Sequence, residues 1–177
     1  AVFSDGLGSG IKAAVLSSLT TVMASRFTAS YRDVRRTAEI IMRTLPVCRV
    51  RKISYATFTI VDLDTEGMAR IIEYDNPRVL VVRNGQSIDI DSTIIEGKIN
   101  SKRPYTLHYS TIKLEQGDRI VLFSDGVVQA GMGSSAYPLG WGTGNAATSV
   151  LDTIKGNPQI SATDLAETVV DRALAID

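Results

Sequence analysis

The chain has 177 residues, enough for one domain with a buried two-layer core, and its 19 basic and 19 acidic residues leave no net charge. That balance argues against a nucleic-acid-binding domain, which would carry a basic excess on one face. The apolar fraction of 44% is ordinary for a soluble domain. No apolar run reaches the roughly 20 residues that span a bilayer.

Ala1 to Ser4 read as a strand running into Asp5-Gly6-Leu7-Gly8-Ser9-Gly10. From Ile11 to about Arg26, Val15, Leu16, Leu19, Val22 and Met23 recur at helical spacing, with Leu19 expected on the packing face. This stretch lacks a basic leader and a processing site, so it does not read as a signal peptide. A second helix is expected over about Tyr31 to Leu45, with Ser30 as N-cap, Asp33 in its first turn, Ile41 packed and Pro46 beyond its end. The pattern then changes to period two. Ile53 to Asp62, Met68 to Tyr74, Val79 to Arg83, Gln86 to Ile90, Tyr105 to Lys113 and Arg119 to Phe123 read as strands. Thr65-Glu66-Gly67, Asn84-Gly85 and Glu115-Gln116-Gly117-Asp118 mark turns between them. Gly131 to Gly144 reads as loop, followed by helices over about Asn145 to Lys155 and Ser161 to Ile176, the last capped by Ser161 or Thr163. No repeat, low-complexity tract or linker interrupts the chain, so a single domain over 1–177 is expected. Helices, an antiparallel meander and helices again predict an α+β layered fold rather than a doubly wound sheet.

Two segments share one pattern: an apolar run ending in Phe-Ser-Asp-Gly, at Phe3-Ser4-Asp5-Gly6 and at Phe123-Ser124-Asp125-Gly126. A carboxylate at a strand end followed by glycine sits at a sheet rim, where the backbone turns sharply and a carbonyl is open to a cation. Two such corners on neighbouring strands would aim hard oxygen ligands at one place, as a two-metal centre requires. Both corners also fit plain strand-terminating turns. Cys48 is the only cysteine, which excludes an intrachain disulfide and suits a reducing cytoplasm. His108 is the only histidine, so any metal would be held mainly by oxygen, which favours Mg²⁺ or Mn²⁺ over zinc or copper.

Asp5-Gly6-Leu7-Gly8-Ser9-Gly10 before a helix resembles the Asp-Gly-Met-Gly-x-Gly signature of PPM-type (protein phosphatase 2C-like) enzymes of the sporulation stage II protein E (SpoIIE) group. Gly117 to Val127 resembles that group's second signature, while Tyr74-Asp75-Asn76-Pro77 keeps only the Asn-Pro of its Ala-Gly-His-Asn-Pro. The resemblance implies an antiparallel β-sandwich flanked by helices, with two Mn²⁺ or Mg²⁺ ions bridged by hydroxide. It implies that Asp5 bridges both ions, that the Gly6 carbonyl binds one and that Asp125 binds from the opposite strand. The reaction implied is in-line hydrolysis of phosphoserine or phosphothreonine on a bacterial regulatory protein, often a phosphorylated anti-sigma-factor antagonist. A homodimer or an attached sensor domain fits the same group. Its members add strands before the first corner and a strand with a metal-binding Asp-Asp or Asp-Asn after the last helix. Terminal strands are therefore expected to be missing from this chain, which is read as truncated at both ends. By the same resemblance, about Gly8 to Leu45 would act as a regulatory switch on Asp5 and Gly6.

Other features have simpler readings. A dinucleotide site at Gly6 to Gly10 lacks both its third glycine, replaced by Ile11, and a βαβ unit. Lys12 reads as a solvated helix charge, His108 as structural or surface, and Arg49, Arg51 and Lys52 as a solvated edge. Arg32, Arg35 and Arg36 are expected to face solvent or a partner domain, and Trp141 to anchor the glycine-rich loop. The competing functional reading is a catalytically inactive phosphatase-fold regulatory or binding module.

Overall fold

The period-two stretches form antiparallel ladders, and the helical stretches pack on them. The computed structural model describes residues 1–6, 8, 10–30, 33–44, 56–99 and 103–177. They divide into two compact units, Ala1–Asn76 with Ile90–Leu114, and Pro77–Asp89 with Glu115–Asp177. The α+β class with antiparallel sheets and flanking helices is observed as expected.

In the first unit, β1 (Val2–Gly6), β2 (Ala56–Leu63), β3 (Met68–Tyr74), β6 (Ser92–Ile99) and β7 (Arg103–Lys113) form a five-stranded sheet. Its order is β1-β2-β3-β7-β6, antiparallel throughout. Helices α1 (Ile11–Ser30) and α2 (Val34–Thr44) pack on one face. Alternation along the strands sends Phe58, Ile60, Ile72, Tyr74 and Leu107 into a core with Ala24, Ala38, Ile41 and Met42. Asp64 closes the β2–β3 turn by accepting from the Glu66 and Met68 amides, as the Thr65-Glu66-Gly67 signal predicts.

Several expectations need correction here. Helix α1 forms as expected but turns its small residues inward: Ala13, Thr20 and Ala24 are buried. Val15, Leu19 and Val22 are 58%, 47% and 53% exposed, so Leu19 is not on the packing face. Where α1 runs against β1, at Ala13 over Gly6, the closeness of the two backbones leaves no room for a bulky side chain, and Phe27 reaches the core only near the helix's far end. Ser30 does not cap α2, since its hydroxyl donates back to the Arg26 carbonyl within α1. Asp33 takes that role, accepting from the Arg36 amide at 3.4 Å. Strand β6 was not foreseen; its Gly97 lies directly opposite Tyr105, whose ring fills the space a side chain on residue 97 would occupy. Cys48, Arg49, Arg51, Lys52, Arg32 and the Leu45-Pro46 helix end lie outside the described residues.

In the second unit, β4 (Leu80–Arg83), β5 (Gln86–Ile88) and β8 (Arg119–Val121) form a three-stranded sheet in the order β5-β4-β8. Asn84 and Gly85 both have positive φ, 52° and 75°, as a two-residue hairpin turn demands. Helices α3 (Asp125–Val128), α4 (Thr143–Gly156) and α5 (Ala162–Leu174) share a core with β4 and β8 around Phe123, Ala146, Val150, Leu165 and Val169. Trp141 is buried in it, and its amide donates to the Ala130 carbonyl, so the glycine-rich loop is anchored as expected. Ser161 caps α5 by accepting from the Asp164 amide at 3.0 Å. Strand β8 ends at Val121 rather than Phe123, because the chain leaves the ladder to begin α3. Among the described residues no helix is long and apolar enough to cross a membrane.

Candidate functional site

The first corner is built from three elements of the first unit. Strand β1 ends with Asp5 opposite Thr57 and Gly6 opposite Ala56. Val2 packs into the core beneath the helices, so by alternation Asp5 points to the other face of the sheet. The strand is pinned from both sides: Ser17 of α1 donates to the Ser4 carbonyl at 2.7 Å, and Ser4 donates to the Thr57 carbonyl at 2.6 Å. An ideal Cβ on Gly6 would stand 2.1 Å from the Ala13 carbonyl oxygen, so only glycine permits this approach. Beyond it, Gly8 and Gly10 adopt positive φ of 92° and 79° and turn the chain from strand to helix. Lys12 is exposed on the first turn of α1.

On the sheet face that carries Asp5, the polar positions continue across the strands. Asn76 donates to the Thr59 hydroxyl at 3.0 Å, fixing the corner formed by Asp75, whose φ is +53°. Glu73 is buried at 1% exposure and lies directly opposite His108 of β7. His108 is half-buried, and its Nδ1 has no hydrogen-bond partner among the described residues, so it is a structural position rather than a surface one. Glu73 escaped the sequence reading because a lone glutamate in a strand carries no motif; only the strand register reveals its imidazole neighbour.

The second corner lies in the second unit. Asp125 is not at a strand end but is the first residue of α3, exposed, with its carbonyl accepting from the Gln129 amide at 2.8 Å. Gly126 is helical, and a Cβ there would meet nothing nearer than Ser124 Oγ at 3.4 Å. The turn before β8 is held by Arg83, which binds Asp118 through Nε at 2.9 Å and Nη2 at 2.6 Å, and Glu115 through Nη1 at 2.5 Å. The Arg83 hydrogen bonds hold the Asp118 carboxyl below the usual carboxylate range. Asp177 is engaged elsewhere, accepting from the Gly131 amide at 2.9 Å. The groove of about 440 Å³ between β8 and α5 is lined by Ile120, Leu122, Phe123, Leu165 and Val169 and is mainly apolar, which does not suit a phosphate.

Asp5 and Gly6 thus stand together at the end of β1, while Asp125 belongs to the other unit. The first corner suits a hard divalent cation in its chemistry. It offers a carboxylate, a glycine where a Cβ would clash, and the buried Thr57 hydroxyl, which has no hydrogen-bond partner among the described residues. Among the described residues no three His, Cys, Asp or Glu side chains converge as a complete ligand group. The antiparallel direction of β2 against β1 excludes a βαβ unit after Gly6, and with it the dinucleotide reading.

This combination of an Asp-Gly corner under a close-packed helix and antiparallel sheets defines an α+β domain of the PPM phosphatase fold. The chain belongs to the stage II sporulation protein E (SpoIIE) family, whose sequence model matches residues 1–177. The phosphatase domain of the cell-fate determinant SpoIIE from Bacillus subtilis, in a crystal form without domain swapping, is similar at 16% identity and a TM-score of 0.60. That match covers 99% of this chain and 71% of the other. The RsbU and RsbW domains of Rv1364c from Mycobacterium tuberculosis are similar at 21% identity and a TM-score of 0.68, covering 95% of this chain and 46% of that one. A manganese-presoaked crystal of the Bacillus subtilis SpoIIE phosphatase domain matches at 12% identity and a TM-score of 0.50, over 97% of this chain and 70% of that one. Among curated protein sequences none matches the chain significantly.

Proposed function

We propose that the chain is the core of a metal-dependent protein phosphatase that hydrolyses phosphoserine or phosphothreonine on a bacterial regulatory protein. The observation that supports this most is the first corner: Asp5 and Gly6 at the end of β1, brought against the Ala13 backbone where only glycine fits. In this reading Asp5, the Gly6 carbonyl and Asp125 hold Mn²⁺ or Mg²⁺, two ions in the complete centre. Bound there, the ions supply Lewis acidity and lower the pKa of water. The protein's own part is positional. The Ser17–Ser4–Thr57 hydrogen bonds fix the height of β1, and with it the direction of the Asp5 carboxylate. Catalysis by such a site rests on positioning and charge rather than on a covalent enzyme intermediate. The substrate is a phosphorylated protein, such as an anti-sigma-factor antagonist, in the cytoplasm; a second copy or a sensor domain would supply regulation.

A second reading, a regulatory module without turnover, is favoured by the lack of three converging donor side chains among the described residues. Hydrolysis of a phosphoserine peptide by the intact protein with and without Mn²⁺, beside Asp5→Asn and Asp125→Asn, separates the two. Turnover that needs Mn²⁺ and both aspartates supports the phosphatase. No turnover under any condition supports the module.

A further inference from the structure

The edge of a sheet presents unpaired backbone N–H and C=O groups, and folded proteins keep such edges short, bulged or interrupted by proline. Among the described residues the edge strands β1, β5 and β8 are short, with five, three and three residues. Strand β6 is different. Its eight residues, Ser92–Ile99, contain no proline and pair with Ser110 to Arg103 of β7 in one unbroken register without a bulge. No described strand pairs with its outer side. Ser92, Thr93, Ile94, Glu96 and Lys98 are exposed, and neither Glu96 nor Lys98 makes an ion pair among the described residues. Pro104 of β7, opposite Lys98, fixes which backbone groups face outward. Proline has no N–H, so it fits this ladder where its nitrogen is turned away from β6. Lys98 therefore stands in a non-hydrogen-bonded pair with it, and by alternation the N–H and C=O groups of Ile94, Glu96 and Lys98 point to the open edge.

We propose that β6 is a self-association edge, to which a second copy of this chain adds its own β6 antiparallel, with Gly97 on the two-fold axis. With Gly97 opposite its counterpart, Glu96 falls opposite Lys98 of the second copy, and Lys98 opposite Glu96 of the second copy. These are outward-facing positions, so the same residues exchange backbone hydrogen bonds and bring opposite charges together on one sheet face. The charges select this register from its neighbours. Moving the axis by one residue sets Glu96 against Glu96 in one direction and Lys98 against Lys98 in the other. Gly97 places no side chain at the axis, and the Tyr105 ring already covers it within each copy. The contact is one strand pair wide, so association is weak, with a dissociation constant of about 10–100 μM. The inference does not rest on the metal corner, because β1 forms the opposite edge of the same sheet.

The test is sedimentation equilibrium of the intact protein over a concentration range that brackets this dissociation constant, for wild type, Glu96→Lys, Lys98→Glu and the double variant Glu96→Lys/Lys98→Glu. Wild type should dimerise reversibly. Each single reversal sets like charges opposite one another twice and should weaken dimerisation at least tenfold. The double variant restores opposite charges and should return to within about threefold of wild type. An equimolar mixture of the two single variants should also associate, as a heterodimer, because each then faces the charge opposite to its own. Both positions are exposed, so the variants should melt within about 2 °C of wild type, which separates lost association from lost folding. A wild-type protein that stays monomeric throughout the range overturns the inference. So does a dimer that resists both single reversals, or one whose loss neither the double variant nor the mixture recovers. A dimer lost on Val15→Lys but kept on Glu96→Lys would place the contact on the exposed face of α1 and overturn it as well.

Discussion

Replacing Gly6 with alanine tests the closest contact in the first corner. The added Cβ would stand 2.1 Å from the Ala13 carbonyl oxygen, 2.7 Å from its carbon and 2.9 Å from its Cα. These are backbone atoms of α1 and cannot swing aside as a side-chain tip would. To restore an ordinary contact, α1 and β1 must separate by roughly 1 Å, which strains the Ser17–Ser4 hydrogen bond between them. Overpacking of this kind costs about 1–3 kcal/mol and more when backbone must shift, so Gly6→Ala should destabilise by about 3 kcal/mol. In a protein of this size that lowers the melting temperature by about 6–12 °C. Gly126→Ala is the matched control. Its Cβ meets only Ser124 Oγ at 3.4 Å, and within a helix alanine is favoured over glycine by up to about 1 kcal/mol. Thermal melting of both variants, with urea denaturation to give the free energies, decides the matter. A Gly6→Ala protein that melts within about 2 °C of wild type would refute the close approach of α1 to β1.

Ile41→Ala, at a fully buried position of α2, should cost about 2–5 kcal/mol, whereas Leu19→Ala should cost less than about 1 kcal/mol because Leu19 is half-exposed; urea unfolding compares them. Trp141→Ala should lose about 3–5 kcal/mol and make the 131–142 segment protease-sensitive, read by limited proteolysis. Asp118 titrates below its usual range because of Arg83, so its stabilisation is complete above the unfolded pKa near 4 and fades as pH falls through the lower folded value. Asp118→Asn should therefore melt lower at pH 7 and show a shallower loss of stability on acidification, measured by melting curves between pH 7 and pH 2. Asp5→Asn should reduce Mn²⁺ affinity at least tenfold in calorimetry, and chelation of wild type should abolish peptide hydrolysis.

Much of the fold was legible because the signals were local. The hairpin turn at Asn84-Gly85 needs two residues at positive φ, and the Ser161 cap needs only its own hydroxyl and the Asp164 amide. What could not be read from the chain alone depended on distance. Helix α1 has apolar residues on every side, so periodicity located the helix but could not choose its buried face. Gly6, far enough away in sequence to escape the helical pattern, made that choice by drawing β1 against the Ala13 backbone and selecting Ala13, Thr20 and Ala24. Strand β6 was hidden by Gly97, which weakens a strand in isolation and is tolerated because Tyr105 packs over it. Asp5 and Asp125 were visible as a repeated motif, but Thr57 and Glu73 acquire meaning only from their register partners.

The repeated Phe-Ser-Asp-Gly itself shows how context outranks a tetrapeptide. After Gly6 come Gly8 and Gly10, whose positive φ values delay the helix, so Asp5 stays in a ladder with Thr57 across from it. After Gly126 come Val127 and Val128, and the turn closes at once: the Val127 amide donates to the Ser124 carbonyl and the Gln129 amide to the Asp125 carbonyl. The two carboxylates therefore differ in restraint. Asp5 is half-buried on a strand pinned by Ser4 and Ser17, while Asp125 is exposed on a four-residue helix. A ligand held on a rigid element loses little freedom on binding a cation, and one on a short exposed helix loses more. The β1 corner should accordingly set the affinity for the first ion, and Asp125→Asn should weaken that first binding step less than Asp5→Asn does. Equal losses for the two variants would mean that the helix holding Asp125 is as rigid as the strand holding Asp5.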